Sequence, residues 1–289
     1  MASGVRRCNG HQDGDQGDGA PASLEHSIQQ QLPFIEKLRI SSPSCRKLLI
    51  LDLNGLLAHT FFDDQGVKVP NSRRPDAIMG RKYVFKRPFC REFLGFCFEN
   101  FDVAIWSSAT RRNVEGVIKC IMGVFADRLI FIWDQANCTD SGFKTLEKND
   151  KPLFLKELEK LWGKDAKYHL PQRYRGRYSS SNTLLIDDSP YKALLNPPHT
   201  AIFPQPYKVE HTDDASLGPG GELRVFLEGL AARDVDVPSY VGSHPIGQQP
   251  ITPAHHQWAF YSQVVNALSI RAPVVHASRP SAMSKKAIF

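Results

Sequence analysis

Residues 48 to 52 read Leu-Leu-Ile-Leu-Asp, an unbroken apolar run closed by a carboxylate, with Asn54 and Gly55 directly behind it. A segment that is apolar at every position has no polar side to turn toward water, so it fits a strand of a parallel sheet covered on both faces. Such sheets bind ligands beyond the carboxyl ends of their strands, which makes Asp52 a candidate nucleophile. Taken alone, the same residues also fit a plain strand-end turn, because Asn-Gly is a common turn pair. The pattern recurs along the chain. Val103 to Trp106 ends in Ser107 and Ser108, and Thr183-Leu184-Leu185-Ile186 ends in Asp187 and Asp188. A parallel sheet gathers three such ends into one crevice.

Between these runs the spacing predicts alternation of strand and helix. Helices are expected over Phe89 to Phe98 behind Pro88, from a Thr110 cap toward Met122, from Asp150 through Trp162, and over Glu222 to Ala232. Arg128 to Trp133 and Ala201 to Phe203 read as further strands, with a polar loop over 134–150 and a basic loop over 163–182. This order predicts an α/β fold: a three-layer, Rossmann-like parallel sheet with helices on both faces. Residues 63–82 are polar and too few for a large cap domain, so the crevice is expected to be open. We divide the chain into a disordered N-terminal region (1–44), a folded domain (45–240) and a largely irregular C-terminal extension (241–289). The extension carries a helix-like piece over Trp258 to Leu268 and ends in a mobile basic tail.

Several classes are disfavoured. No apolar stretch approaches the roughly 18 residues that cross a bilayer, and the first thirty residues hold no apolar segment of signal-peptide type. Asp13, Asp15 and Asp18 argue against a mitochondrial transit peptide, which is usually poor in acids. The six cysteines form no C-x-x-C pair, so neither a zinc site nor a disulfide framework is expected, and a reducing compartment fits. A formal net charge of +6 suits acidic partners, but no aromatic-basic module accompanies it, which argues against nucleic acid. Oligomeric state is not legible.

The three strand ends outline a phosphate site. A carboxylate can attack phosphorus in line and form an aspartyl phosphate, provided a hard cation neutralises the phosphoryl oxygens. Asp52, Asp188 and the main-chain oxygen of Asn54 would suffice for Mg2+, which keeps several waters. Ser107 and Ser108 are candidate phosphate-binding hydroxyls. Each piece has a plainer reading: Asp188-Ser189-Pro190 as a helix start, and Ser107, Ser108 and Thr110 as helix caps. Their coincidence at three strand ends favours the functional one.

This arrangement resembles the haloacid dehalogenase superfamily of aspartate-nucleophile phosphatases, and within it the branch of small RNA polymerase II C-terminal-domain (CTD) phosphatases, including plant members. The resemblance rests on DLNGLL (52–57), FKRPFCREFL (85–94), VAIWSSAT (103–110), FLKEL (154–158) and LLIDDSPYKA (184–193), and extends to LGPGGELRVFLEGLA. It implies that Asp52 is the nucleophile, Ser107 a phosphate-binding hydroxyl, Lys156 the phosphate-balancing lysine, and Asp187 with Asp188 the acidic metal motif. Lys151 or Lys144 could replace Lys156, since a lysine in KELEKLW also reads as a solvated helix residue. The implied cofactor is Mg2+, the implied partner a phosphoprotein or phosphopeptide, and the implied location the nucleus or cytoplasm. The family pattern places aspartate where Asn54 stands and threonine where Leu56 stands. That aspartate protonates the leaving alkoxide and then activates water, so Asn54 implies a slow phosphatase or a pseudoenzyme. A non-catalytic alternative is a module similar to the phosphatase-like subunit of the mitochondrial presequence translocase.

Overall fold

The computed structural model describes residues 46–163 and 170–271. The expectations for residues 1–44, for 164–169 of the basic loop, and for the basic tail lie outside the described residues.

Strand β1 (Leu48–Leu51) is buried at every position, as its composition requires. With β5 (Asp102–Trp106), β6 (Ile132–Trp133), β9 (Thr183–Ile186) and β10 (Ala201–Ile202) it forms one sheet in the order β10-β9-β1-β5-β6, every pair parallel. The register aligns the strand ends: Leu51 lies beside Ile105 on one side and Ile186 on the other. The three runs therefore stop at one level.

Side chains alternate across the sheet, and each face has its own core. Leu49, Leu51, Val103, Ile105, Leu184 and Ile186 face α1 (Cys90–Asn100), α2 (Arg111–Ile121), α4 (Glu222–Ala231) and α5 (Val237–Ser243). Leu48, Ile50, Ala104, Trp106 and Leu185 face Phe131, Trp133, Leu161 and Tyr178. The second face is covered by irregular segments and by the single turn α3 (Glu159–Trp162). Each fully buried aliphatic or phenyl side chain contributes about 1.5–3 kcal/mol, so these two layers fix the sheet.

Two regions depart from the sequence expectation. The helix expected over 150–162 is instead β8 (Pro152–Leu155), paired antiparallel with β7 (Thr139–Lys144), followed by the short α3. Leu153 and Leu155 are buried and Phe154 is half-buried, a two-residue period that ends just before the charged Lys156-Glu157 pair. Part of the polar loop over 134–150 is thus the partner strand. The strand expected over Arg128 to Trp133 is formed only at Ile132–Trp133, and Arg128 instead ends the 3₁₀ turn Gly123–Arg128.

The excursion after β1 is a small antiparallel sheet, β2 (Ala58–Phe62), β4 (Lys82–Lys86) and β3 (Ala77–Met79), with no larger cap. Helix α6 (Trp258–Arg271) answers the helix-like piece. Its Tyr261 and Val264 pack with Leu153, Leu155 and Tyr191 in a separate apolar cluster.

Candidate functional site

Asp52 follows β1, Ser107 and Ser108 follow β5, and Asp187 and Asp188 follow β9, so one sheet edge delivers five polar side chains. Their backbones are held by the sheet: Asp52 N–H donates to Ile186 O at 3.0 Å and Ser107 N–H to Trp133 O at 3.0 Å. The carboxylates of Asp52, Asp187 and Asp188 converge, one oxygen of each lying within 4.8 Å of the others.

Lys156 neutralises part of that charge. Its ammonium group donates to Asp52 Oδ1 at 2.9 Å and to Asp187 Oδ2, and the residue is fully buried. The strand ending at Leu155 puts it there, whereas the expected helix would have left it on a solvated face. Asn196 clamps this corner, accepting from Leu158 N–H and donating to Lys156 O, both at 2.9 Å. Lys144 is exposed on β7 and Lys151 lines the pocket, so neither takes this position.

A pocket of about 220 Å³ opens in front of Asp52, lined also by Asn54, Ser107, Ser108 and Asp188. Lys156 and Asp187 lie behind it rather than in its wall. The structure thus brings all seven sequence-derived residues together, five facing the pocket and two supporting them. Asp187 Oδ1 accepts from Ser189 N–H, so at this helix start the working side chain is Asp187; Ser189 makes no capping bond. Thr110 stands at the N-cap of α2 likewise without a side-chain bond, and Ser107 Oγ accepts from Ala109 N–H at 3.3 Å.

Asn54 uses its side-chain oxygen locally, accepting from Thr60 N–H at 2.6 Å and so joining β2 to the site loop. Gly55 must be glycine for two reasons. Its φ is +88°, and a Cβ there would collide with Asp188 Oδ2. The loop after β1 therefore presses its backbone against the acidic strand end.

Electrostatics separate the three acids. Burial pushes Asp52 up from the usual carboxylate range; Lys156 opposes this and Asp187 adds to it. For Asp187 burial acts in the same sense, but Lys156 and Lys192 outweigh it and hold the group down. Asp188 is pushed up to about 7 by burial and by the neighbouring charges of Asp187 and Asp52. Three acids against Lys156 and Lys192 leave a deficit of positive charge. A carboxylate held near neutrality by two others is suited to exchange its proton for a hard cation. The donor set fits Mg2+: Asp52 and Asp188 would hold it with the main-chain oxygen of Asn54, and Asp187 would support them from behind.

One residue escaped the sequence reading. Lys192 is buried, lines the pocket and donates to Ser108 Oγ. Its main-chain oxygen also accepts from Lys156 N–H at 2.7 Å. It stands in the DDSPYK motif, but only the 3₁₀ turn Pro190–Ala193, which returns residue 192 over residue 189, turns it toward Ser108.

The model of the NLI interacting factor-like phosphatase family matches residues 47–238. The Ubiquitin-like domain-containing CTD phosphatase 1 of Xenopus laevis is 28% identical over 193 residues, 65% of this chain and 51% of that protein. An uncharacterized FCP1 homology domain-containing protein of Schizosaccharomyces pombe is 29% identical over 160 residues, 53% of this chain and 58% of its own. The chain therefore spans little more than half the length of these relatives. A solved structure of fission yeast RNA polymerase II CTD phosphatase Fcp1 aligns with a TM-score of 0.37 at 19% identity, over 84% of this chain and 55% of that one. With its parallel sheet and the matched span of 192 residues between 47 and 238, the chain belongs to the NLI interacting factor-like phosphatase family.

Proposed function

We propose that this phosphatase-like domain accepts phosphoserine or phosphothreonine side chains of proteins, uses Mg2+, and transfers the phosphoryl group to Asp52, with turnover slowed by Asn54. The observation that supports this best is the buried Asp52 carboxylate at the base of a pocket it shares with Asn54, Ser107, Ser108 and Asp188. Lys156 engages Asp52 Oδ1 and fixes the side chain, leaving Oδ2 as the attacking atom. The Ser107 and Ser108 hydroxyls, with Lys192 donating to Ser108 Oγ, would donate to phosphoryl oxygens. Bound Mg2+ would neutralise charge on the phosphoryl group. As the Asp52–phosphorus bond forms, the bond to the seryl oxygen breaks, and that oxygen needs a proton. The Asn54 amide can hydrogen-bond to it but has no proton to give, nor can it take one from the water that later hydrolyses the aspartyl phosphate. A phenolic leaving group needs little protonation, so aryl phosphates suffer least. We propose the nucleus or cytoplasm as the place of action, and residues 45–240 as the unit that carries it.

The test compares the wild type, Asn54→Asp and Asp52→Asn with a seryl phosphopeptide and an aryl phosphate. Restoring the acid–base group should raise seryl turnover by about 10²–10⁴, whereas Asp52→Asn should lose both activities. A wild type that hydrolyses the phosphopeptide at ordinary enzymatic rates would refute the role given to Asn54. Tight phosphopeptide binding with no turnover, unchanged in Asn54→Asp, would instead favour a non-catalytic binding module.

A further inference from the structure

Beside the Asp52 pocket lies a larger cleft of about 470 Å³. The two share Lys151, Asp188 and Ser189 as lining residues, so the cleft begins where the pocket ends. One wall is the turn between β7 and β8, from Thr145 to Lys151; the other is residues 248–261. That second wall lies beyond residue 238, where the family match stops.

The added wall is anchored. Gln248 Nε2 donates to Asp188 O at 2.7 Å and to Pro204 O at 3.1 Å, which ties it to the acidic strand end itself. Tyr261 and Val264 are buried against Leu153, Leu155 and Tyr191, and Phe143 meets Phe260 edge to face with centroids 6.0 Å apart. A wall attached at both ends is a preformed surface.

Its chemistry suits an anion on a peptide. Lys148, Lys151, His255 and His256 line it, while Glu147 is the one carboxylate added to Asp188. Among the described residues no ion pair engages Lys148 or Lys151, and the Lys151 ammonium lies 6.0 Å from the centroid of the Tyr191 ring. Tyr191 and Tyr261, both buried, close its floor. An extended chain advances at most about 3.3–3.6 Å per residue, so a phosphoresidue at Asp52 would carry its next few neighbours into this cleft.

We propose that the cleft between the β7–β8 turn and residues 248–261 is a subsite for the acidic residues flanking the phosphorylated side chain of an extended peptide. The proposal rests on the reading of the Asp52 pocket as a phosphomonoester site. The flanking group it selects is anionic, whether carboxylate or a second phosphate.

Lys148 and His256 are exposed, belong only to the outer cleft, and can be changed without touching the pocket. Fluorescence anisotropy on the full chain with Mg2+ would compare two phosphoserine peptides, one flanked by glutamates and one by lysines. Phenyl phosphate, which fills the pocket alone, serves as competitor. The glutamate-flanked peptide should bind about tenfold more tightly. Lys148→Glu combined with His256→Glu should abolish or invert that preference and leave phenyl phosphate competition unchanged. Equal affinity of the two peptides for the wild type would overturn the subsite, as would an unaltered preference in the double variant. Failure of phenyl phosphate to compete at all would overturn the phosphomonoester reading, and the subsite with it. A glutamate and a phosphoserine placed at the same flanking position identify which anion is preferred.

Discussion

Replacing Lys156 with methionine removes the ammonium group hydrogen-bonded to both Asp52 and Asp187 while keeping nearly the same volume. At 2.9 Å from Asp52 Oδ1 the ammonium contributes about 6 kcal/mol of gross attraction at an effective dielectric constant near 20, most of it offset by desolvation. Deleting one partner leaves the carboxylates without that offset, and such losses typically cost about 3–5 kcal/mol. The packing change is small by comparison, because a straight apolar chain refills the space. For a domain of this size the loss corresponds to a fall in Tm of roughly 6–20 °C. The sign with pH follows from the shifts. Asp187 is held low in the wild type, so its contribution is present at neutral pH and lost as pH falls through its depressed value. In Lys156→Met both acids rise and take up protons, so the variant is penalised most at high pH. The gap between the two proteins should therefore widen from pH 5.5 to 8, and adding Asp187→Asn should recover part of it. Calorimetric Tm values that differ by less than about 2 °C at every pH would refute the reasoning.

Gly55→Ala meets two obstacles, a positive φ and the Asp188 carboxylate, so it should cost about 1–3 kcal/mol and weaken Mg2+ binding at least tenfold. Calorimetric titration reads the second effect, and an alanine variant with wild-type Mg2+ affinity would contradict the close approach. Mg2+ affinity should itself depend on pH. Asp188 is pushed up to about 7, so the cation competes with one proton below that value. The dissociation constant should fall about tenfold per unit from pH 5.5 toward 7 and level off above 8. A flat profile across that interval would show that Asp188 is not the group displaced.

What was legible in the sequence was what the chain states locally. Leu48 to Leu51, Val103 to Trp106 and Leu184 to Ile186 are apolar without interruption, and a run of that kind has few alternatives to a doubly covered strand. Their polar ends followed from parallel topology. The β7–β8 pair was hidden because Leu153 and Leu155 give only two beats of a two-residue period, directly followed by charges that mimic an amphipathic helix. Lys156 was consequently reached by motif resemblance alone; its burial depends on a strand whose partner, near Thr139, is more than ten residues away. Likewise the sheet of β2, β3 and β4 pairs Ala58 with Lys86 across a long polar excursion, a contact that no local pattern encodes. Lys192 stood in a quoted motif without a role, since only the 3₁₀ turn after Pro190 aims it at Ser108.

The proposed reaction requires Asp52 to take up a phosphoryl group. With an amide in the acid–base position, hydrolysis of the aspartyl phosphate should be impaired more than attack of Asp52 on an aryl phosphate, so the covalent form should accumulate in the wild-type protein. Acid quenching after incubation with an aryl phosphate and Mg2+, followed by peptide mass analysis, should find one phosphoryl group on the peptide carrying Asp52, and none in Asp52→Asn. Phosphate released with no modification at Asp52, or the same modification retained in Asp52→Asn, would contradict the account.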